Sequence, residues 1–185
     1  MNQDIYQVQF LLERITGLLR NERRQLLAEY GLQPVQFEAL NYLAHCNRYS
    51  DTPMAVTEYL GQTKGTVSQT LKVLETKGLI VKQGDSKDKR VSHLKLTEAG
   101  SEILDTQQLS PQLAQLESQL LNDCYQPLQN LLTSMQQANQ SRPFGQCRQC
   151  RHNTELAQGQ YLCELTKEPL QEQETLLLCR EFERP

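Results

Sequence analysis

Tryptophan is absent from this 185-residue chain, and aromatic residues make up only 6% of it, so the core must be mostly aliphatic. No run of 18 apolar residues occurs, which excludes a transmembrane helix of ordinary length. The opening Met-Asn-Gln-Asp lacks the basic segment and apolar stretch of a secretory signal. The expected location is therefore the cytoplasm, where thiols stay reduced and clustered cysteines more often hold metal than form disulfides. Paired carboxylates, a nucleophile with its base and a phosphate-cradling glycine loop are also missing. No catalytic residues are expected, and the enzyme classes find no support. Nor is there an excess of positive charge: the net charge is −3.

What the chain does have is ordinary for a soluble protein, with 22% charged and 38% hydrophobic residues. Its length suits one domain plus a small module. The charge is unevenly spread. From Thr63 to Lys95 eight cations (Lys64, Lys72, Lys77, Lys82, Lys87, Lys89, Arg90 and Lys95) face three anions (Glu75, Asp85 and Asp88), a local excess of +5. A basic patch on an acidic protein focuses nucleic-acid binding. Within it, Val67, Leu71 and Leu74 recur at steps of four and three and predict a helix with one apolar stripe. Thr66, Ser68, Gln69, Thr70 and Lys72 fall largely on the other sides. Hydroxyls, an amide and a cation are the groups that reach phosphates and base edges in a major groove. Thr63 is the expected N-cap and Gly78 the expected left-handed C-cap.

The flanking chain supports a winged helix-turn-helix. Residues 4 to about 29 predict one long amphipathic helix, with more apolar stripe than a small core needs, so part of it is expected to meet a partner chain. Gly31 ends it and Pro34 suits the first turn of the next helix, which carries Phe37, Leu40 and Leu43. Asn47 to Pro53 reads as a polar loop. Ala55 to Leu60 predicts a short helix closed by Gly61, and the turn to Thr63 completes a helix-turn-helix. Residues 79–83 and 91–96 predict two strands joined by a charged tip, the wing. Helix returns from Ala99 to about 140, with breaks expected near Pro111 and at Pro127, which should open the last helix. Gln136 to Gln146 reads as a linker.

At the level of whole motifs the chain resembles the MarR family of bacterial winged-helix regulators over about residues 4 to 140. The likeness is carried by Tyr30-Gly31-Leu32 with Pro34 and Phe37. Lys64-Gly65-Thr66-Val67-Ser68 through Leu79-Ile80, Asp88-Lys89-Arg90 and Leu96-Thr97-Glu98-Ala99-Gly100 follow in the same order. The resemblance implies a homodimer on pseudo-palindromic double-stranded DNA, usually repressing transcription until a ligand or oxidant releases it. It implies that Thr66, Ser68, Gln69 and Thr70 face the major groove, with Lys64 and Lys72 near phosphates. Arg90 would lie toward the minor groove, oriented by Asp88. Many relatives carry arginine where this chain has Gln69. Glutamine bonds adenine bidentately whereas arginine prefers guanine, so an A·T-leaning half-site is expected.

Beyond the linker the composition changes, and four of the six cysteines fall in the last 39 residues. Cys147 and Cys150 form a C-x2-C pair; Cys163 follows after 12 residues and Cys179 after 15 more. Four thiolates complete a zinc site or a 4Fe–4S cluster. One close pair followed by two lone cysteines is similar in order to high-potential iron–sulfur proteins, which favours the cluster. Zinc is the alternative, and disulfides or free thiols remain open. His152 is a substitute ligand or a surface imidazole. Phe144, Tyr161, Leu162, Leu176, Leu178 and Phe182 are the candidate shell of this module. Cys46 and Cys124 are expected to be small core residues.

The expected architecture is mainly α: a winged helix-turn-helix with a two-stranded wing and a helical dimerisation region over residues 1–140, then a four-cysteine metal or cluster module over 141–185. The expected function is a homodimeric DNA-binding regulator whose module senses redox state, oxygen, nitric oxide or iron. A zinc tail that docks another protein, and a redox or electron-transfer protein on a winged-helix scaffold, are the competing readings. A small-molecule effector is a further possible partner, and no membrane is expected.

Overall fold

The structure, a computed structural model, describes residues 3–85, 88–107, 110–139, 143–157 and 159–185. The boundary expected after residue 140, and Lys87 of the basic patch, lie outside the described residues.

Helix α1 (Gln3–Leu27) runs into a 3-10 turn that Gly31 closes at φ +56°, a left-handed conformation open to glycine. Helix α2 (Pro34–His45) starts on proline and a Gln33–Gln36 capping box. Thr52 caps α3 (Pro53–Leu60) and Thr63 caps α4 (Lys64–Thr76), each accepting a backbone N–H three residues on. Strands β1 (Ile80–Gly84) and β2 (Ser92–Leu96) pair antiparallel, Ile80 opposite Leu96 and Gly84 opposite Ser92. The wing is pinned to the α2–α3 connection, where Leu94 N–H donates to the Asp51 carbonyl at 2.7 Å.

Helix α5 (Glu98–Gln107) follows the hydroxyl of Thr97, which accepts the Gly100 N–H. Gly100 is fixed by space: a Cβ there would stand 2.2 Å from the Leu79 carbonyl oxygen. The short α6 (Pro111–Ala114) is held to α1 by the buried Glu22 carboxylate, which accepts Ser110 Oγ and Gln112 N–H. Helix α7 (Ser118–Ala138) completes this part. Leu27, Phe37, Leu40, Tyr42, Val56, Val67, Leu71, Leu74, Ile80, Leu94 and Leu104 form the core. It is aliphatic but for two rings, as the shortage of aromatics requires.

The C-terminal segment is a small β module. Strands β3 (Gly145–Gln146) and β7 (Leu178–Cys179) pair with each other. Strands β4 (Asn153–Ala157), β5 (Gln160–Cys163) and β6 (Glu168–Gln171) form a meander, with α8 (Glu172–Thr175) after it. Its own core is Cys147, Tyr161, Leu170, Cys179 and Phe182.

Several expectations need correction. Pro127 lies inside a continuous α7 and does not open a new helix. Proline removes the N–H that would bond the carbonyl of residue 123. No residue of α7 is buried, so water can satisfy that carbonyl. The same helix runs to Ala138, which shortens the linker. Cys124 is exposed on it, not in the core, whereas Cys46 is buried. Of the expected shell, Phe144 and Leu178 pack against the winged-helix core instead, and Leu176 is exposed. The module therefore docks on the winged-helix half. Leu178 forms a parallel bridge with Cys46, and its carbonyl accepts Asn47 N–H at 2.8 Å. Phe144 meets Tyr42 and Tyr59 edge-on, with centroids 5.8 and 5.3 Å away.

Candidate nucleic-acid interface and cysteine centre

The apolar stripe turns α4 so that Val67, Leu71 and Leu74 are buried while Lys64, Thr66, Ser68, Gln69 and Lys72 are exposed. Thr70 departs from the expectation. It is only 6% exposed, because it lies one turn from both Val67 and Leu74 and joins their buried side. It is a packing residue, not a groove-facing one. Thr66 Oγ1 lies 3.0 Å from Thr63 Oγ1, so the capping residue orients it.

Across the surface from α4 stands the wing. Arg90 grips Asp88 through Nε and Nη2 at 3.0 and 2.9 Å, and its side chain is 90% exposed. The guanidinium beside Asp88 holds that carboxyl below its usual range. Asp88 N–H in turn donates to Asp85 Oδ1. The tip thus presents an oriented cation on a braced turn. On β1, Lys82 pairs with Glu75 of α4 at 2.7 Å and ties wing to helix.

The four tail cysteines all line one cavity of about 30 Å³, together with Tyr49, His152 and Leu170. Cys147 and Cys179 are hydrogen-bonded to each other. Among the described residues no three His, Cys, Asp or Glu side chains stand close enough to grip an ion as they lie. The sulfurs are nonetheless served by donors. Asn47 Nδ2 donates to Cys147 Sγ at 3.1 Å, Glu183 N–H to Cys150 Sγ at 3.4 Å, and the Glu181 N–H to Cys179. The Cys147 thiol, then Asn47, Glu181 and Ser50, pull Cys179 below the usual thiol range, while its partner Cys147 is pushed up. His152 Nε2 is buried without a hydrogen bond, 3.5 Å from Glu183 Oε1.

Residues that composition and periodicity missed fix the module in place. Arg180 forks onto Glu58 of α3 at 2.6 and 2.8 Å. Arg48 reaches Glu174 at 2.8 Å and the Pro169 carbonyl at 2.9 Å, and Tyr49 OH donates to Glu168 at 2.7 Å. At the far side Arg184 donates to Thr133 of α7 at 2.9 Å.

Helix-turn-helix, wing and order of elements together invite comparison with known regulators. Residues 30–91 match the MarR family model. The MarR-like segment is thus the α2-to-wing unit just described. The transcriptional repressor MprA of Escherichia coli strain K12 is 30% identical over 102 residues, which are 55% of this chain and 57% of MprA. The chain thus spans little more than half the length of that curated relative. The structure of S. aureus MepR in its DNA-binding conformation is similar, with TM-score 0.56 and 26% identity, covering 70% of this chain and 98% of MepR. BldR from Sulfolobus solfataricus, a transcriptional regulator, shares the fold at TM-score 0.59 and 18% identity over 72% of this chain and 99% of its own. The MarR-like winged-helix fold is mainly helical with a small β wing, as expected. No helix among the described residues is long and apolar enough to cross a membrane.

Proposed function

We propose that this chain is a homodimeric, sequence-specific DNA-binding transcriptional regulator, a repressor, controlled by a metal centre on Cys147, Cys150, Cys163 and Cys179. The observation that carries the DNA-reading part is the pairing of two features in one MarR-like unit. These are the exposed polar and cationic face of α4 and the exposed, carboxylate-oriented Arg90 on the wing. Ser68 and Gln69 would meet base edges, Lys64 and Lys72 phosphates, and Arg90 the minor groove. The repressor name of MprA and the DNA-binding conformation of MepR agree with this reading. A second copy would cover the apolar residues left exposed on α1 and α7, among them Ile5, Leu11, Leu18, Leu128 and Leu132.

The cysteine order favours a 4Fe–4S cluster, and the N–H···S bonds suit anionic sulfurs of either centre. A single zinc ion is the second reading. The cavity of about 30 Å³ favours it, being room for one ion and little more. Either group needs the four sulfurs to draw closer together than they lie.

Selection from random duplex DNA, followed by gel shift at several salt concentrations, tests the reader. Arg90→Ala and Lys72→Ala should weaken binding and flatten its salt dependence. Absence of any selected sequence would sink the reading. Iron, sulfide and zinc analysis with a visible spectrum, on protein purified without oxygen, identifies the centre. Iron with colour supports the cluster, colourless stoichiometric zinc supports the alternative, and neither refutes the metal.

A further inference from the structure

The segment between α2 and α3 read as an ordinary polar loop, yet Asn47, Ser50 and Asp51 are only 2%, 0% and 3% exposed. Three buried polar residues in one short turn need partners, and those partners lie in two places far apart in the chain. On one side is the cysteine cavity. Asn47 Nδ2 donates to Cys147 Sγ at 3.1 Å, and Ser50 Oγ accepts Arg180 N–H at 2.8 Å, next to Cys179. On the other side is the wing. Asp51 Oδ1 takes His93 Nδ1 and Oδ2 takes Lys95 Nζ, both at 2.5 Å, and the Asp51 carbonyl takes Leu94 N–H. Within the turn, Asn47 Oδ1 accepts Ser50 Oγ–H at 2.7 Å and Tyr49 N–H at 3.2 Å.

The chain of bonds continues to the DNA-facing tip. His93 Nε2 lies 3.2 Å from Asp85 Oδ2, Asp85 Oδ1 accepts Asp88 N–H at 2.6 Å, and Asp88 grips Arg90. We propose that occupancy of the cysteine cavity is transmitted to the wing through the buried 47–51 turn, with Asn47 as the positioning residue that joins them. This rests on the reading that the four cysteines hold a metal. Closing the sulfurs onto an ion moves Cys147 Sγ, the acceptor of the Asn47 amide. Asn47 is only 2% exposed, so the turn follows the sulfur or gives up a buried hydrogen bond. The turn cannot shift without pulling the carboxylate that anchors His93 and Lys95. The wing is therefore the part whose order the metal would bias.

The test is amide hydrogen exchange of wing residues 81–96 in the full chain, metal-loaded as purified and again after chelation. The wild type should show about tenfold faster wing exchange once metal is removed. Asn47→Asp keeps the acceptor for Ser50 but loses the donor to Cys147. Its metal content is measured alongside, and in the metal-loaded fraction its wing exchange should no longer respond to chelation. His93→Gln, a substitution at a half-buried position, cuts the far end of the same path and should likewise leave the tip unresponsive. A wild type that carries no metal overturns the cysteine centre and this proposal with it. A wild type that loses metal without any change at the wing overturns the relay alone. So does an Asn47→Asp protein that responds as the wild type does.

Discussion

Among the contacts that dock the module on the winged-helix half, Arg180 makes the bidentate one, and its coupling follows from its geometry. Both guanidinium–carboxylate contacts to Glu58 are short, 2.6 and 2.8 Å, and the geometry is bidentate. The side chains are 22% and 28% exposed, between a surface pair and a buried one. Exposed pairs couple by about 0.2–1 kcal/mol, and breaking a fully buried pair costs about 3–5 kcal/mol. An intermediate coupling of about 1–2 kcal/mol is expected here. A double-mutant cycle with Arg180→Met and Glu58→Gln, read by urea denaturation of the full chain, isolates it. The Arg180 contact to Glu181, at 2.8 Å, cancels in the cycle. The pair Arg151–Glu183, at 3.2 Å and 59% and 54% exposed, is the internal control and should couple far more weakly. High salt should erase the control and only reduce the Arg180 pair. A coupling below about 0.3 kcal/mol, within the scatter of additive mutations, would refute the idea that this contact clamps the module.

Three further outcomes are expected. His93 has its pKa raised, first by its bond to Asp51, so its contribution to stability is complete below its unfolded value of about 6.5. That contribution should be lost as pH climbs through the raised folded value; the stability gap between wild type and His93→Gln, measured across that window, should shrink with rising pH. Gly100→Ala would drive a Cβ to 2.2 Å from the Leu79 carbonyl and should cost about 3 kcal/mol or more in denaturant unfolding, whereas Gly17→Ala, with nothing near it, should stabilise α1 by up to about 1 kcal/mol. Gln69→Arg should move the selected half-site from A·T toward G·C at one position, and an unchanged selection would count against Gln69 as a base reader.

Much of the reading head was legible in the chain because its signals are local. A four-three apolar step, a threonine N-cap and a terminating glycine fix α4 within 16 residues; the structure returns the first two, and it makes Lys77 the C-cap with Gly78 left-handed just past it. Thr70 was misplaced for a physical reason. Threonine is small and half apolar, so a hydroxyl at the margin of the stripe looks equally suited to groove or core. Pro127 misled because the rule against internal proline weakens where the helix stays in water. The docking of the tail was not legible at all. Asn47 meets a sulfur 100 residues away, and Arg180 meets a carboxylate 122 residues away. No periodicity reports pairings of that range. Buried asparagine, serine and aspartate look in sequence like any solvated loop.

That separation also has a temporal side. The core that shapes the reading head is complete by Leu104, but the bridge to Cys46 needs Leu178. At roughly 5–20 residues per second, the ribosome takes about 4–15 s to cover that stretch. During each round of synthesis a folded reader can therefore exist before its clamp does. Docking of the C-terminal module is therefore a late, separate step of each new molecule's folding.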